Sequence, residues 1–140
     1  MLAKKLMFSG ALLFLLGLLE GLVIPCFTNN RMGLSAHLAA VQNAMALMIL
    51  GAIWAHVQLS ERMQSIAAWS SIFSMYAVWL GLTLAAVLGT SKATPIAGAG
   101  FTGSATAELL TEAIIYVGAA AGLVGAALVV WGLWNSLKSN

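Results

Sequence analysis

Four apolar stretches lie along the chain, at residues 6–24, 35–57, 66–88 and 106–134, and shorter, less apolar connections separate them. Each stretch approaches or exceeds the ~20 residues that a helix needs to cross about 30 Å of hydrocarbon. The alternating pattern that is typical of membrane-barrel strands is absent from all four. Because lipid cannot satisfy exposed backbone groups, the pattern predicts an all-α integral membrane four-helix bundle that forms a single domain over residues 1–140.

The composition strengthens the membrane interpretation and excludes an ordinary soluble globule. Of the 140 residues, 61% are hydrophobic and 7% are charged, and the mean hydropathy is +0.98. The net charge of +2 comes from few charges, and no basic tract is present that would bind nucleic acid. The one cysteine, Cys26, has no second cysteine with which to form an internal disulfide, so helix packing must hold the fold.

The basic residues indicate how the helices are oriented in the membrane. Four of them would share one side of the bilayer: Lys4, Lys5, Arg62 and Lys138. Arg31 and Lys92 fall on the other side. Because cytoplasmic loops carry an excess of lysine and arginine, the sequence predicts that both termini are cytoplasmic and that residues 27–34 and 89–105 form outward-facing loops. The expected location is a bacterial inner membrane.

Glycines at close spacing in the first and fourth spans indicate helix contacts. The first span has Gly17 and Gly21 four residues apart, and the fourth span has a longer series: Gly118, Gly122, Gly125 and Gly132. Small residues let helix backbones approach closely in a membrane. The glycine-rich loop 91–104 contains no phosphate-binding motif, and we expect it to pack over the outer mouth of the bundle, near residues 29–31.

The polar residues of this chain are concentrated in residues 27–43. This stretch begins as a loop after Pro25 and is predicted to enter a helix at Ser35, which is a good N-cap. His37 would then lie in the helix near one edge of the bilayer, and Asn43 would follow almost two turns deeper. Ionisable and amide side chains are costly at such depths, so each is a candidate functional residue.

His37 is the strongest candidate ligand for a metal or a haem. His56 is predicted on the same helix, nineteen residues away, which corresponds to about 28 Å, so the two histidines cannot coordinate one metal within a subunit. We interpret His56 as an ordinary histidine at the membrane interface. From the residues alone, His37 is either such a ligand or a hydrogen-bonded structural histidine, and both interpretations stay open.

Acidic residues and one arginine are predicted at the level of His37, close to the outer face. They are Glu20, Arg31, Glu108 and Glu112. Glu108 and Glu112 lie one turn apart at the start of the fourth span, where the positive helix N-terminus favours them, and pairing with Arg31 would neutralise one acid. This outer polar network is either an ion-pair network that stabilises the fold or part of a catalytic site.

Tyr76 and Trp79 lie near the middle of the third span, where they fit an interfacial aromatic belt poorly. Their rings could pack an aromatic substrate or face a developing positive charge. We therefore include Tyr76 and Asn43 as candidate catalytic residues. For Asn43, a structural alternative is a hydrogen bond that joins two helices.

Two segments of the chain resemble a known family. Phe27-Thr-Asn-Asn-Arg-Met-Gly-Leu-Ser-Ala-His-Leu resembles the hydroxylaminobenzene mutases, and so does Pro95-Ile-Ala-Gly-Ala-Gly with Glu108 beyond it. The resemblance covers nearly the whole chain. The pair Ala36-His37, followed by Asn43, is also similar to the more distant styrene oxide isomerases, small membrane enzymes that bind haem b through this histidine.

The resemblance implies a haem-dependent membrane isomerase that assembles as a homotrimer, with haem near the subunit interfaces. His37 would be the axial ligand of haem b iron, and Asn43 would line the substrate site. The implied reaction converts an arylhydroxylamine into an aminophenol, with ferric haem as a Lewis acid. Because no net redox change occurs, no soluble redox cofactor is required.

Two alternatives to the mutase reaction stay open at this point. The first is isomerisation of an aryl epoxide to an aldehyde, because the mutase pattern has an acid where this chain has Ala39 and an amide where it has Val78. The second is a non-enzymatic haem-binding subunit for electron transfer, which would need a second axial ligand. An optical spectrum of the purified protein would separate such a subunit from an enzyme with an open iron face.

Overall fold

The structure is a computed structural model that describes residues 1–138, and this part of the chain contains four long helices and no strand. The helices are α1 (Leu2–Val23), α2 (Asn30–Ile53), α3 (Glu61–Leu88) and α4 (Ala105–Lys138). Short 3-10 turns at Ile24–Cys26 and Trp54–His56 follow α1 and α2. Each long helix is apolar and long enough to cross a membrane, so the predicted all-α membrane fold is confirmed.

The predicted start of the second span was wrong by one and a half turns. Ser35 lies inside α2, where its hydroxyl donates to the carbonyl of Arg31, and the helix begins at Asn30. Asn29 caps it instead, because the Asn29 side chain accepts a hydrogen bond from the Met32 amide at 3.0 Å. Asparagine is as good an N-cap as serine, and the polar first turn extends the helix beyond its apolar part.

The helices form two antiparallel hairpins, α1 with α2 and α3 with α4, and α2 packs against α3 to join them. Helix α1 also reaches α3, whereas α4 lies along the far side of α3. The main buried core lies among the first three helices and includes Leu6, Leu13, Ala40, Ala44 and Leu47. Helix α4 is the least covered of the four, and its outer face is exposed.

Glycine permits the close approach of the helices within both hairpins. A Cβ added at Gly10 of α1 would lie 2.7 Å from the backbone oxygen of Ala44 in α2. A Cβ added at Gly118 of α4 would lie 2.9 Å from the Cβ of Ala77 in α3. These distances are shorter than van der Waals contact, and a Cβ added at Gly17 would likewise lie 2.7 Å from the Cβ of Ala40, so the predicted packing role of Gly17 and Gly118 is confirmed.

Substituting Gly10 with alanine should destabilise the protein by about 1–3 kcal/mol, because the new methyl group meets backbone atoms that cannot rotate away. The measurement is the unfolding transition in detergent. Ala11→Val is the matched control, since Ala11 is the next residue of α1 and is exposed. Equal stability of Gly10→Ala and the control would contradict this account of the α1–α2 contact.

The basic residues segregate to the two ends of the bundle as the sequence indicates. Two lysines at the end with the N-terminus contact tryptophan rings. The Nζ of Lys5 lies 5.1 Å from the ring centre of Trp69, and the Nζ of Lys138 lies 5.2 Å from the ring centre of Trp134. Such pairs are suited to a membrane interface. That this end faces the cytoplasm stays a prediction from the charge distribution.

Candidate active site

His37 lies in the second turn of α2, half-buried against α1. Its Nδ1 lies 2.7 Å from the carbonyl oxygen of Gly17. The ring also lies directly over Gly21, where an added Cβ would be only 3.1 Å from the ring atoms Cε1 and Nδ1. The two glycines therefore have a role beyond helix packing: the carbonyl of Gly17 contacts Nδ1 of the His37 ring, and Gly21 leaves space for that ring.

The contact with Gly17 fixes the protonation pattern of the ring. A carbonyl oxygen can only accept, so the proton of a neutral His37 imidazole must be on Nδ1. This leaves the lone pair on Nε2, and Nε2 has no hydrogen-bond partner among residues 1–138. Metal-binding histidines commonly donate their other ring N–H to a carbonyl in this way. His37 is therefore compatible with both interpretations, a structural histidine and a ligand, because the hydrogen bond of Nδ1 leaves Nε2 available.

No multidentate site for a bare metal ion occurs in the part of the chain that the structure describes, where no three His, Cys, Asp or Glu side chains converge. His56 lies far along the chain at the opposite end of α2, in the turn Trp54–His56, and is exposed. His37 is thus separate from the second histidine, as the spacing predicts.

Asn43 faces α3, and its Nδ2 donates to the carbonyl of Met75 at 3.0 Å. This is the contact that the structural interpretation of Asn43 anticipates, a hydrogen bond between two membrane helices. Its Oδ1 makes no hydrogen bond to a described residue. The catalytic role of Asn43 stays a prediction.

Tyr76 and Trp79 project from adjacent turns of α3 and meet edge to face, with ring centres 6.3 Å apart and an interplanar angle of 85°. The hydroxyl of Tyr76 donates to the carbonyl of Ser9 in α1 at 2.8 Å. Both residues line an open apolar groove of about 470 Å³ between α3 and α4. Its other lining residues are Phe73, Ala77, Leu80, Ala113, Ile114 and Val117. A groove of this size and character suits a small aromatic molecule.

Glu20 does not belong to an outer network. It is 6% exposed, and its two carboxylate oxygens accept hydrogen bonds from α3. One oxygen accepts from the indole Nε1 of Trp79 and the other from the hydroxyl of Thr83, both at 2.7 Å. The helical position of Glu20 on α1 turns it toward α3, which the one-dimensional pattern did not reveal.

Arg31 also differs from the expected network. Its guanidinium donates to two backbone carbonyls of the glycine-rich loop, Ala97 at 3.2 Å and Ala99 at 2.7 Å. The Asn29 side chain donates to the same Ala97 carbonyl at 3.0 Å. The predicted packing of this loop near residues 29–31 is confirmed. Within residues 1–138, the expected pairing of Arg31 with an acid does not form, because loop carbonyls occupy the arginine.

Glu108 holds the other side of the same loop. It is 2% exposed, and its carboxylate accepts hydrogen bonds from the backbone amides of Ser91, Lys92 and Gly103 at 3.0–3.1 Å. Glu112, one turn further, is half-buried and makes no hydrogen bond or ion pair to a described residue. The four residues of the predicted outer network therefore have separate roles, and only Arg31 and Glu108 share the loop.

Comparison with known proteins places the chain in one family. The family model for styrene oxide isomerase matches residues 2–134. The hydroxylaminobenzene mutase HabB of Ectopseudomonas oleovorans is 40% identical over 134 residues, which cover 94% of this chain and 81% of the relative. The hydroxylaminobenzene mutase HabA of the same organism is 43% identical over 90 residues, which cover 64% of this chain and 67% of the relative.

No solved structure matches the chain significantly. The predicted relationship and the predicted enzyme class, an isomerase or mutase, are both confirmed by the family model and by the curated relatives. The match spans all four helices, from the beginning of α1 to the last turns of α4. The chain therefore belongs to the styrene oxide isomerase family, as an integral membrane enzyme of the isomerase class.

Proposed function

We propose that this protein rearranges an arylhydroxylamine, such as hydroxylaminobenzene, to an aminophenol. The observation that carries the proposal is the 40% identity to a hydroxylaminobenzene mutase across 94% of the chain. The reaction is an isomerisation: the N–O bond breaks, a C–O bond forms at the ring, and the displaced ring proton ends on nitrogen. Atoms and electrons balance within the substrate.

His37 would hold haem b through Nε2, the atom that the Gly17 contact leaves available. One imidazole is a sufficient protein ligand for a haem, since the porphyrin supplies four further nitrogen donors. A ferric haem bound there would supply a Lewis acid for the N–O group. The chain itself contributes the ring orientation, because Nδ1 is held by the Gly17 carbonyl and the absence of a Cβ at Gly21 makes space for the imidazole against α1.

The apolar groove between α3 and α4 would receive the aromatic ring of the substrate. Tyr76 and Trp79 turn their polar atoms toward α1, where each is hydrogen-bonded, so the rings present apolar surfaces to the groove. Aromatic rings favour edge-to-face packing, and the substrate ring would pack in this way against Tyr76 and Trp79. An apolar wall also limits the access of water, which would compete for a cationic ring.

A second candidate reaction is the isomerisation of an aryl epoxide to an aldehyde. The family model that matches residues 2–134 is that of styrene oxide isomerase, which favours this chemistry. It needs the same two contributions from the chain, a held imidazole and an apolar wall. Ala39 and Val78, where the resemblance to the mutases implies polar residues, are half-buried apolar residues in this chain.

The test is a parallel assay of the purified protein, reconstituted in lipid nanodiscs with haem. Hydroxylaminobenzene and styrene oxide are supplied separately, and products are separated by chromatography. Formation of an aminophenol supports the proposal, and formation of an aldehyde alone favours the second candidate. If neither product forms while the optical spectrum shows iron with two protein ligands, the electron-transfer interpretation replaces both.

Asn43→Leu should retain haem but lower turnover by roughly tenfold, if the free Oδ1 of Asn43 orients a polar group of the substrate. The same variant loses the hydrogen bond to Met75, so stability must be measured alongside turnover. Asn43→Asp is the matched variant, because it keeps an acceptor but loses the Nδ2 donor. Unchanged turnover in Asn43→Leu would leave Asn43 as a structural contact.

The homotrimer and the position of haem near subunit interfaces are also parts of this proposal. The half-buried ring of His37 and the exposed outer face of α4 leave room for neighbouring copies or for lipid. Orientation with both termini in the cytoplasm, and residence in a bacterial inner membrane, likewise stay predictions.

A further inference from the structure

Glu20 is a carboxylate placed among apolar side chains, and such a group is costly unless its oxygens are satisfied. It lies in α1 with Gly17 and Gly21 on the neighbouring face, yet its own contacts are with α3. Neither oxygen is left without a donor, because one accepts from Trp79 and the other from Thr83.

The contacts of Glu20 fix the orientation of Trp79. The indole N–H is held at 2.7 Å by one carboxylate oxygen. Thr83, one turn further along α3, contacts both residues. Its hydroxyl lies 2.7 Å from the second carboxylate oxygen of Glu20 and 2.9 Å from the backbone carbonyl oxygen of Trp79. An indole anchored at its nitrogen cannot rotate freely, and Trp79 both lines the groove and meets the ring of Tyr76 edge to face.

We propose that Glu20 is a positioning residue that holds the indole of Trp79 as the fixed wall of the α3–α4 groove, against which the aromatic ring of the substrate packs. This inference rests on the proposed function for the identity of the substrate. It assigns to Glu20 no proton transfer, because both of its oxygens are engaged by donors on α3.

The proposed role of Glu20 depends on the position of its acceptor oxygens and not on its negative charge. Two substitutions separate these properties. In Glu20→Gln, the amide oxygen can still accept from Trp79, and the amide nitrogen can donate to the Thr83 oxygen while Thr83 donates to the Trp79 carbonyl. In Glu20→Leu, the shape is nearly kept but both contacts are lost. We therefore expect Glu20→Gln to behave like the parent protein and Glu20→Leu to differ.

The kinetic experiment compares these variants with hydroxylaminobenzene as substrate, using haem-loaded protein in nanodiscs. Glu20→Leu should raise KM roughly tenfold and change kcat by less than about threefold, as expected when binding to a wall residue is lost. Glu20→Leu in a Trp79→Phe background should cause no further rise in KM, because Glu20 acts through the indole. Thr83→Val, which removes one of the two anchors, should give an intermediate KM and provides the test if Glu20→Leu does not fold.

The second readout does not depend on turnover. The five tryptophans are replaced by 5-fluorotryptophan, and the ¹⁹F resonance of Trp79 is assigned with Trp79→Phe. Aniline, an arylamine that lacks the reacting N–O bond, is then titrated. The Trp79 resonance should shift on titration in the parent protein and in Glu20→Gln, and it should broaden and respond weakly in Glu20→Leu.

The outcomes separate the inference from the proposed function. Loss of activity in Glu20→Gln to the level of Glu20→Leu would overturn the positioning role, because charge would then be needed. An unchanged Trp79 resonance in a parent protein that turns over its substrate would overturn the groove as the ring site and leave the function standing. An aniline response that depends on Glu20, in a protein that converts neither substrate, would support the positioning role and overturn the proposed function.

Discussion

Replacing His37 with alanine is expected to remove haem from the purified protein and to lower turnover by a factor of roughly 100 or more. The side chain supplies Nε2, the ring nitrogen that the hydrogen bond to the Gly17 carbonyl leaves with a lone pair. Alanine removes this donor, and the second histidine, His56, lies at the opposite end of α2. The loss of Soret absorption measures the effect independently of activity.

His56→Ala is the matched control for this experiment. His56 lies on the turn that follows the same helix, but it is exposed at the opposite end. Its substitution should leave both haem content and turnover unchanged. Retention of haem in His37→Ala, or equal loss in both folded variants, would contradict the assignment of His37 as the ligand.

Replacing Glu108 with alanine should destabilise the protein by about 3–5 kcal/mol, the largest stability effect that we expect of a single acidic residue here. The backbone amides of Ser91, Lys92 and Gly103 share this buried carboxylate as an acceptor. Without it these amides lose their shared acceptor within the folded loop, and the cost of each unsatisfied buried donor adds to the lost hydrogen bonds. Thermal unfolding in detergent measures the effect.

Glu112→Ala provides a control on the same helix, one turn away. The Glu112 side chain has no hydrogen bond or ion pair with a described residue, so its removal should change the stability by no more than about 0.5 kcal/mol. Hydrogen exchange at the amides of residues 91–103 adds a local measurement, since Glu108→Ala should accelerate exchange there and Glu112→Ala should not. If the two substitutions destabilised the protein equally, negative charge at the start of α4, and not the contact between Glu108 and the loop, would account for the loss of stability.

The number and approximate position of the helices were determined by the sequence alone. Four apolar runs of sufficient length leave helices as the structure that satisfies the backbone in lipid, and the structure has helices at all four. The boundaries were less accurate, because a helix continues into polar residues at the interface. Asn29, and not Ser35, caps α2 for this reason. The isolation of His37 from His56 also followed from the sequence, because helical rise converts residue spacing directly into distance.

The partners of the polar side chains were decided only by the tertiary structure. The sequence indicates the depth of Glu20, Arg31 and Glu108 in the membrane, and depth alone suggested a shared network. Rotation about each helix axis separates them: Glu20 turns toward Trp79, whereas Arg31 and Glu108 hold the loop between α3 and α4. That rotation is set by how the helices pack. The hydrophobic pattern defined it weakly, because in lipid both the buried and the exposed faces of a helix are apolar.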